Sequence, residues 1–462
     1  MRDLCRDRQA LSRHERQREA QAPGRDQVGE LRLTTDPATS LEDAVRLSII
    51  EAERHRGAIG AILLAVSGGP DSLALFLAAA ELRSRAGFPS ITVATVDHCL
   101  RPESAAEANY VASVCRELRL PHRTLSWERR ASLTGNLQAA AREARYDLLT
   151  REARRISAGA VVTAHHADDQ LETHCLARQR GGTGTALAGM RTWRDLAPGL
   201  VLLRPFLRLP KAELAARVRR EGLTAIDDPS NRSDAFARVR LRHALASGLY
   251  DRRLLDLELR EAQAARREAD AELARSIAEL CLGGAVRPRP DGALELVPRD
   301  APNAFWKRVL VAVGGGEGAI RTDAVERLLA RFGADGKADA TLGGCRIRRV
   351  GEKVIVAREF GRTGPADVPL RGAKSASFDR RFDITLPRDH PIDTLRAYGN
   401  ASAPQVRGAV LPVGLDRDGA IRAVHPGLAA RFPELGVLAA SERIGWRIWA
   451  DLPGRAPDRL TP

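Results

Sequence analysis

What the chain lacks narrows it first. Its six cysteines, at positions 5, 99, 115, 175, 281 and 345, include no CxxC pair, which argues against a zinc ribbon, a dithiol redox site or a cysteine-ligated iron–sulfur cluster. Scattered thiols of this kind fit a reducing compartment. No apolar run is long enough to span a bilayer. Residues 1–30 mix seven arginines with six acids instead of placing an apolar stretch behind a positive start. A cytoplasmic protein with no membrane partner is therefore expected. Internal repeats and low-complexity tracts are also missing.

What is present is length and positive charge. At 462 residues the chain exceeds what one hydrophobic core usually supports, so two or three domains are expected. Lys plus Arg number 73 against 59 Asp plus Glu, a formal charge of +14. Such a surplus favours polyanionic partners, nucleic acid above all, because each neutralised phosphate releases a condensed counterion.

Residues 1–40 are polar and nearly charge-balanced; with a short amphipathic helix over 40–56 they form an N-terminal extension, 1–56, expected to be partly disordered. From residue 57 to 245 the pattern is βαβα. Strand-like runs at 61–66, 91–96 and 160–164 alternate with helical stretches near 72–86, 104–118, 137–155 and 168–179. Apolar strands separated by helices imply a parallel α/β sheet covered on both faces. Ligands then bind at the carboxyl ends of the strands. The stretch "RRLLDLELREAQAARREADAELARSIAEL" contains neither Gly nor Pro and predicts one long helix in a linker spanning 246–285. Residues 286–462, richer in Gly and Pro, read as a smaller α+β region of one or two modules.

Three clusters fall at expected strand ends. In "AILLAVSGGPDSLALF" (61–76) a buried strand runs into Ser67, Gly68, Gly69, Pro70, Asp71 and Ser72. Backbone N–H groups at such a turn can face an anion, and the glycines let it approach. The Gly-Lys-Ser/Thr ending of a Walker loop is missing. Asp71 would repel phosphates unless a cation such as Mg²⁺ lies between them, which makes it the candidate metal residue. "VDHCLRPES" (96–104) offers His98 and Arg101. "TAHHADDQLET" (163–173) offers two histidines with Asp168, Asp169 and Glu172. Asp169 and Glu172 share one helical face and suit a cationic amine; a metal site is the alternative. Between Arg204 and Arg242 ten basic residues face five acids, which fits either RNA phosphate contacts or a solvated helix face.

The loop SGGxDS resembles the pyrophosphate loop of N-type ATP pyrophosphatases. Taken with DHxLRxES, HHxDDQxET, "NLQAAAREARYDLL" (136–149), "LAGM" (187–190), "RPFLRLPKAEL" (204–214), "DDPSN" (227–231) and "TLGGCRIRR" (341–349), the chain resembles the tRNA(Ile)-lysidine synthetase family. The resemblance implies a Rossmann-like, adenine nucleotide alpha hydrolase-like fold. It implies adenylation of the wobble cytidine (position 34) of a tRNA(Ile) with a CAU anticodon, release of pyrophosphate, and displacement of AMP at C2 by the amine of L-lysine. The product, lysidine, shifts codon recognition from AUG to AUA. By the same resemblance Ser67, Gly68, Gly69, Pro70, Asp71, Ser72, His98 and Arg101 bind ATP with Mg²⁺. Asp169 and Glu172 hold lysine, and Asp71, Arg145, Asp169 and Glu172 serve the reaction. Arg142 is the alternative to Arg145. Lys211, Arg238, Arg240 and Arg242 are tRNA-binding candidates, and residues 286–462 a tRNA-binding region. The oligomeric state stays open, a homodimer among the options.

The chain departs from the family pattern in "RGGTGTALAGM" (180–190), where Thr183 and Ala186 replace glycines, and at Gln138, where an acid is common. Two other readings keep the loop: a cytidine thiolation enzyme, against which the absence of CxxC counts, and a catalytically inactive RNA-binding relative, against which the retained Asp71, Asp169 and Glu172 count.

Overall fold

In the computed structural model, which describes residues 40–99, 103–127, 137–226, 237–297, 301–334, 339–387, 389–402 and 408–460, the strand-like runs assemble into one six-stranded sheet. Its strands are β1 (Ala61–Ala65), β2 (Ser90–Asp97), β3 (His122–Ser126), β4 (Ala160–Val162), β5 (Trp193–Ala197) and β6 (Leu200–Leu203), in the order β3-β2-β1-β4-β6-β5. Every neighbouring pair is parallel except β5 with β6. The expected α/β sheet is thus present, with one antiparallel strand at its edge. The expectations for residues 1–39, for Arg101 and for "DDPSN" lie outside the described residues.

Alternation along β1 explains the layers. Ile62 and Leu64 enter one core and Leu63 and Ala65 the other, all of them buried, because successive strand residues point to opposite faces. Helices α1 (Leu41–Arg56), α2 (Pro70–Leu82) and α3 (Ser104–Glu117) cover the first face, and α4 (Leu137–Arg155) covers the second through Leu149 and Ala153. The helix grouped by sequence with the extension, α1, packs Leu41, Val45 and Ile49 into the core on the first face of this sheet. Its periodic apolar residues find a partner there, so the folded unit begins earlier than residue 57.

Next come α5 (Ala167–Gln179), α6 (Lys211–Arg220), α7 (Ala237–Ala246) and α8 (Arg252–Leu282). The last is the expected long helix: 31 residues, about 45 Å at 1.5 Å per residue. Asp251 caps it by accepting from the Arg253 and Leu254 N–H groups, an interaction that contributes about 1 kcal/mol. Leu255 and Leu259 near its start pack with Leu171 of α5 and Leu241 of α7. Ile277 and Cys281 near its end belong to a separate core.

That separate core lies under the sheet β7-β8-β11-β10-β9, built from Val286–Pro288, Leu294–Leu296, Lys353–Arg358, Cys345–Val350 and Asp339–Leu342. A second core lies among strands from Val368–Pro369 to Ala439–Glu442. Ile444 and Trp449 then return to the first of these cores. Beyond them, the Asp195 N–H of β5 donates to Asp451 and the Asp451 N–H donates back to Asp195, at 2.7 and 2.8 Å. Arg56 neutralises Asp195 at 2.6 Å and reaches the carbonyls of Leu452 and Gly454.

Candidate active site

The loop after β1 is held by its own residues. Ser67 N–H donates to Ser72 Oγ at 3.1 Å, and that hydroxyl donates to the Gly69 carbonyl at 3.0 Å. Ser72 therefore fixes the turn from within, while Ser67 is exposed at its rim. Gly68 has φ +83°, and a Cβ there would stand 2.3 Å from Ile226 Cδ1. The Ile226 N–H also donates to the Gly68 carbonyl at 2.9 Å, so the segment after α6 lies directly on the loop. Pro70 starts α2 at a position where a missing N–H costs nothing. The Asp71 and Ser72 N–H groups precede the first bond of the helix ladder, from the Leu73 N–H to the Gly69 carbonyl at 3.0 Å, and suit an anion.

One side of this loop is acidic. His166, buried at the head of α5, places Nε2 3.5 Å from both Asp71 Oδ2 and Asp169 Oδ2 and Nδ1 3.7 Å from Asp168. Burial opposes charge on the ring, but the carboxylates of Asp71, Asp169 and Asp168 outweigh it and raise its pKa above the ordinary value. Asp168 accepts from the Lys211 N–H at 3.0 Å and pairs with Arg252; burial pushes its pKa up, and these two partners bring it below the usual range. Lys211 Nζ stands 4.0 Å from Asp71. Glu172, only 1% exposed, takes the Arg242 guanidinium on Oε1 at 2.8 Å. Two carboxylate oxygens in this cluster, Asp71 Oδ1 and Glu172 Oε2, are buried without a hydrogen-bond partner among the described residues.

The other side is basic. His165 bonds Thr163 through Nδ1 at 3.0 Å, and burial followed by the charges of Arg204, Arg145, Arg142 and Arg238 depresses its pKa well below the ordinary value. Tyr146 lies one turn along α4 from Arg142, whose guanidinium stands 5.5 Å over its ring; Arg194 stands 5.3 Å over the same ring. Arg204, 4% exposed, anchors on the Arg191 carbonyl at 2.9 Å and has a second contact to the Tyr146 phenol. Burial raises the phenol pKa, yet Arg142, Arg204, Arg145 and Arg194 together lower it. His98 meets Trp127 edge-on at 5.8 Å, and burial and Arg145 lower its pKa.

The divergent loop at 180–190 closes without the missing glycines. Thr183 is extended at φ −135° and Ala186 lies in a 3₁₀ turn, 184–187, while glycines remain at the left-handed positions 181, 184 and 189. Gln170 clamps Met190 with both ends of its amide, at 2.6 and 2.9 Å. Arg266 of α8 donates to the Gly189 carbonyl at 2.7 Å, and the buried His174 ring contacts both Leu187 O and Glu258.

The fold thus brings together Asp71, Asp169 and Glu172, with Ser67, Gly68, Gly69, Pro70 and Ser72 beside them, and groups His98 with Arg145. Two of the tRNA-binding candidates, Lys211 and Arg242, lie beside the carboxylates of Asp71 and Glu172. Arg238 neighbours His165, and Arg240 is exposed on α7. Sequence reading missed Tyr146, Arg194 and Arg204 as site residues. Two of them lay inside the quoted stretches 136–149 and 204–214, but only the folded strand ends show that they meet.

A PP-loop domain model matches residues 45–249. The chain is 42% identical over 322 residues to the tRNA(Ile)-lysidine synthase of Methylobacterium nodulans, covering 66% of this chain and 91% of that protein. It is 44% identical over 287 residues to the enzyme of that name from Bradyrhizobium diazoefficiens, covering 58% of this chain and 77% of the relative. Against that of a Bradyrhizobium species, strain BTAi1, identity is 38% over 349 residues, covering 70% and 96%.

Proposed function

The chain belongs to the tRNA(Ile)-lysidine synthase family, and from that premise we propose how its two charged half-sites divide the work of ATP-dependent lysidine formation on tRNA(Ile). The observation that carries the division is a pair of buried carboxylate oxygens, Asp71 Oδ1 and Glu172 Oε2, that have no hydrogen-bond partner among the described residues. Leaving such oxygens unpaired is costly unless a cationic donor arrives.

ATP takes the loop at 67–72, where the free N–H groups of the α2 start and Lys211 face its phosphates. Asp71 is suited to Mg²⁺: its free Oδ1 sits beside the phosphate loop, and Mg²⁺ is commonly held by one carboxylate plus phosphates and water. Bound there, the ion would supply neutralisation of phosphate charge. His98, near Arg145, makes an auxiliary nucleotide contact in this reading.

The lysine ammonium takes Glu172 Oε2 and Asp169. Its ordinary pKa is about 10.4, so attack at neutral pH requires the ammonium to be held and one proton removed. Arg242 occupies Glu172 Oε1 at 2.8 Å and leaves Oε2 for the ammonium. In the first step the cytidine O2 attacks the α-phosphorus and pyrophosphate leaves; in the second the lysine nitrogen bonds C2 and AMP leaves with that oxygen. Arg145 balances charge on the adenylated intermediate. Residues 286–462 contribute RNA contacts outside the reaction centre. Mass spectrometry of the anticodon nucleoside tests the reading: with ATP and lysine, a CAU-anticodon tRNA(Ile) should gain one lysine residue. A nucleoside unchanged in mass, or one that gains sulfur, would overturn it.

A further inference from the structure

Arg142 and Arg194 stand 5.5 and 5.3 Å over the Tyr146 ring and Arg204 bonds its phenol; among the described residues, these and Arg145 are its principal charged neighbours. On α4, Arg142, Arg145 and Tyr146 are spaced i, i+3, i+4 and share a face. The three acids of the same helix lie elsewhere: Glu143 pairs with Arg380 at 3.4 Å, Asp147 faces Glu143, Arg151, Arg380 and Glu317, and Glu152 pairs with Arg155 at 2.7 Å. The cluster is graded in exposure. Arg142 is exposed, while Arg204 is almost wholly buried and fixed to the Arg191 carbonyl; among the described residues, neither its Nε nor the buried Nε of Arg194 has a hydrogen-bond partner. Like charges held this close repel one another, and burial removes the water that would screen them. Such an arrangement is relieved by an anion.

We propose that Arg142, Arg194 and Arg204, arranged around Tyr146, seat a phosphodiester of the tRNA backbone next to the nucleotide being modified. This rests on the functional reading above and extends it to residues that reading leaves unused. ATP does not need them, since its phosphates have the loop amides and Lys211. One lysine carboxylate does not call for several guanidiniums. A cluster that runs from exposed Arg142 inward to Arg204 suits one phosphate of a continuous strand, and arginine forks match phosphate oxygens.

The test is tRNA binding by the full chain, measured against KCl concentration with unmodified CAU-anticodon tRNA(Ile). Arg194→Gln should weaken binding about tenfold and flatten the slope of log Kd against log salt by about one ion. Arg194→Lys, which keeps the charge, should restore the slope. Arg142→Gln, at the exposed rim, should flatten it equally and cannot act through a collapsed core. Unchanged affinity and slope in Arg142→Gln would overturn the assignment. So would a rise confined to the KM for ATP or for lysine, because the anion would then be a triphosphate or a carboxylate. Lysidine formation by the unmutated chain is read in parallel: its absence would sink the functional reading, whereas its presence with unaltered salt slopes would sink only the role of the cluster.

Discussion

His165 and His166 are neighbours in sequence and opposites in environment. His166 turns into three carboxylates and has a raised pKa; His165 turns into arginines and has a depressed one. The difference arises from geometry alone, because consecutive residues at a strand end point to opposite sides of the sheet. One side carries α5, α6 and α7 with their acids and partners, and the other carries α4 with its guanidiniums. A reaction that joins a cationic amine to a polyanion needs both surfaces within a few ångströms of one reacting carbon. A βα junction supplies them with two adjacent residues.

The strongest way to break this arrangement is to neutralise the acidic side. Asp169→Asn or Glu172→Gln should reduce lysidine formation by about 10²–10⁴-fold while tRNA stays bound, as product mass and tRNA affinity will show. Next is the bond that supports that side. Arg242→Ala leaves Glu172 buried without this partner and should lower stability by about 2 kcal/mol, below the roughly 3–5 kcal/mol of a fully buried pair because the arginine is partly open to water. Denaturant titration measures it, and the KM for lysine should rise with it.

A smaller effect sharpens the contrast between the histidines. The folded chain holds the His166 proton more tightly than the unfolded chain does. Its contribution to stability is therefore full below the ordinary value of 6.5 and is lost as pH rises through the higher folded value. For His165 the folded value lies well below 6.5, so its contribution is full above 6.5 and is lost as pH falls toward that value. Urea midpoints of His166→Gln and His165→Gln, each compared with the parent across pH, should diverge in opposite directions on the two sides of 6.5. Equal profiles would mean that the two rings share one environment. The least effect belongs to the 180–190 loop: Thr183→Gly and Ala186→Gly should each cost at most about 1 kcal/mol and raise no activity, since neither position needs a glycine backbone. Thermal denaturation with a turnover assay reads both.

Much of the acidic half was legible in the sequence because its residues lie within one turn of a helix after a strand, and spacing alone aligns Asp169 with Glu172. The sheet and the long helix were legible for the same reason, local periodicity. The basic half was not. Tyr146, Arg194 and Arg204 come from a helix, an edge strand and a strand end, and in so arginine-rich a chain no single arginine stands out. The Glu172 to Arg242 pair spans 70 residues, beyond any helical or strand period. The return of Ile444 and Trp449 to an earlier core was equally hidden, because an apolar residue does not announce which core it will enter.

The reciprocal bonds between Asp195 and Asp451 bear on how the chain is made. Strand β5 is the outer edge of the catalytic sheet, and an open edge is a template for pairing with other chains. The residue that covers it is synthesised some 250 positions later. During translation the finished catalytic sheet must wait, edge exposed, for the tail to arrive. A chain stopped before residue 451 should therefore aggregate through β5 even though every residue of its reaction centre is present.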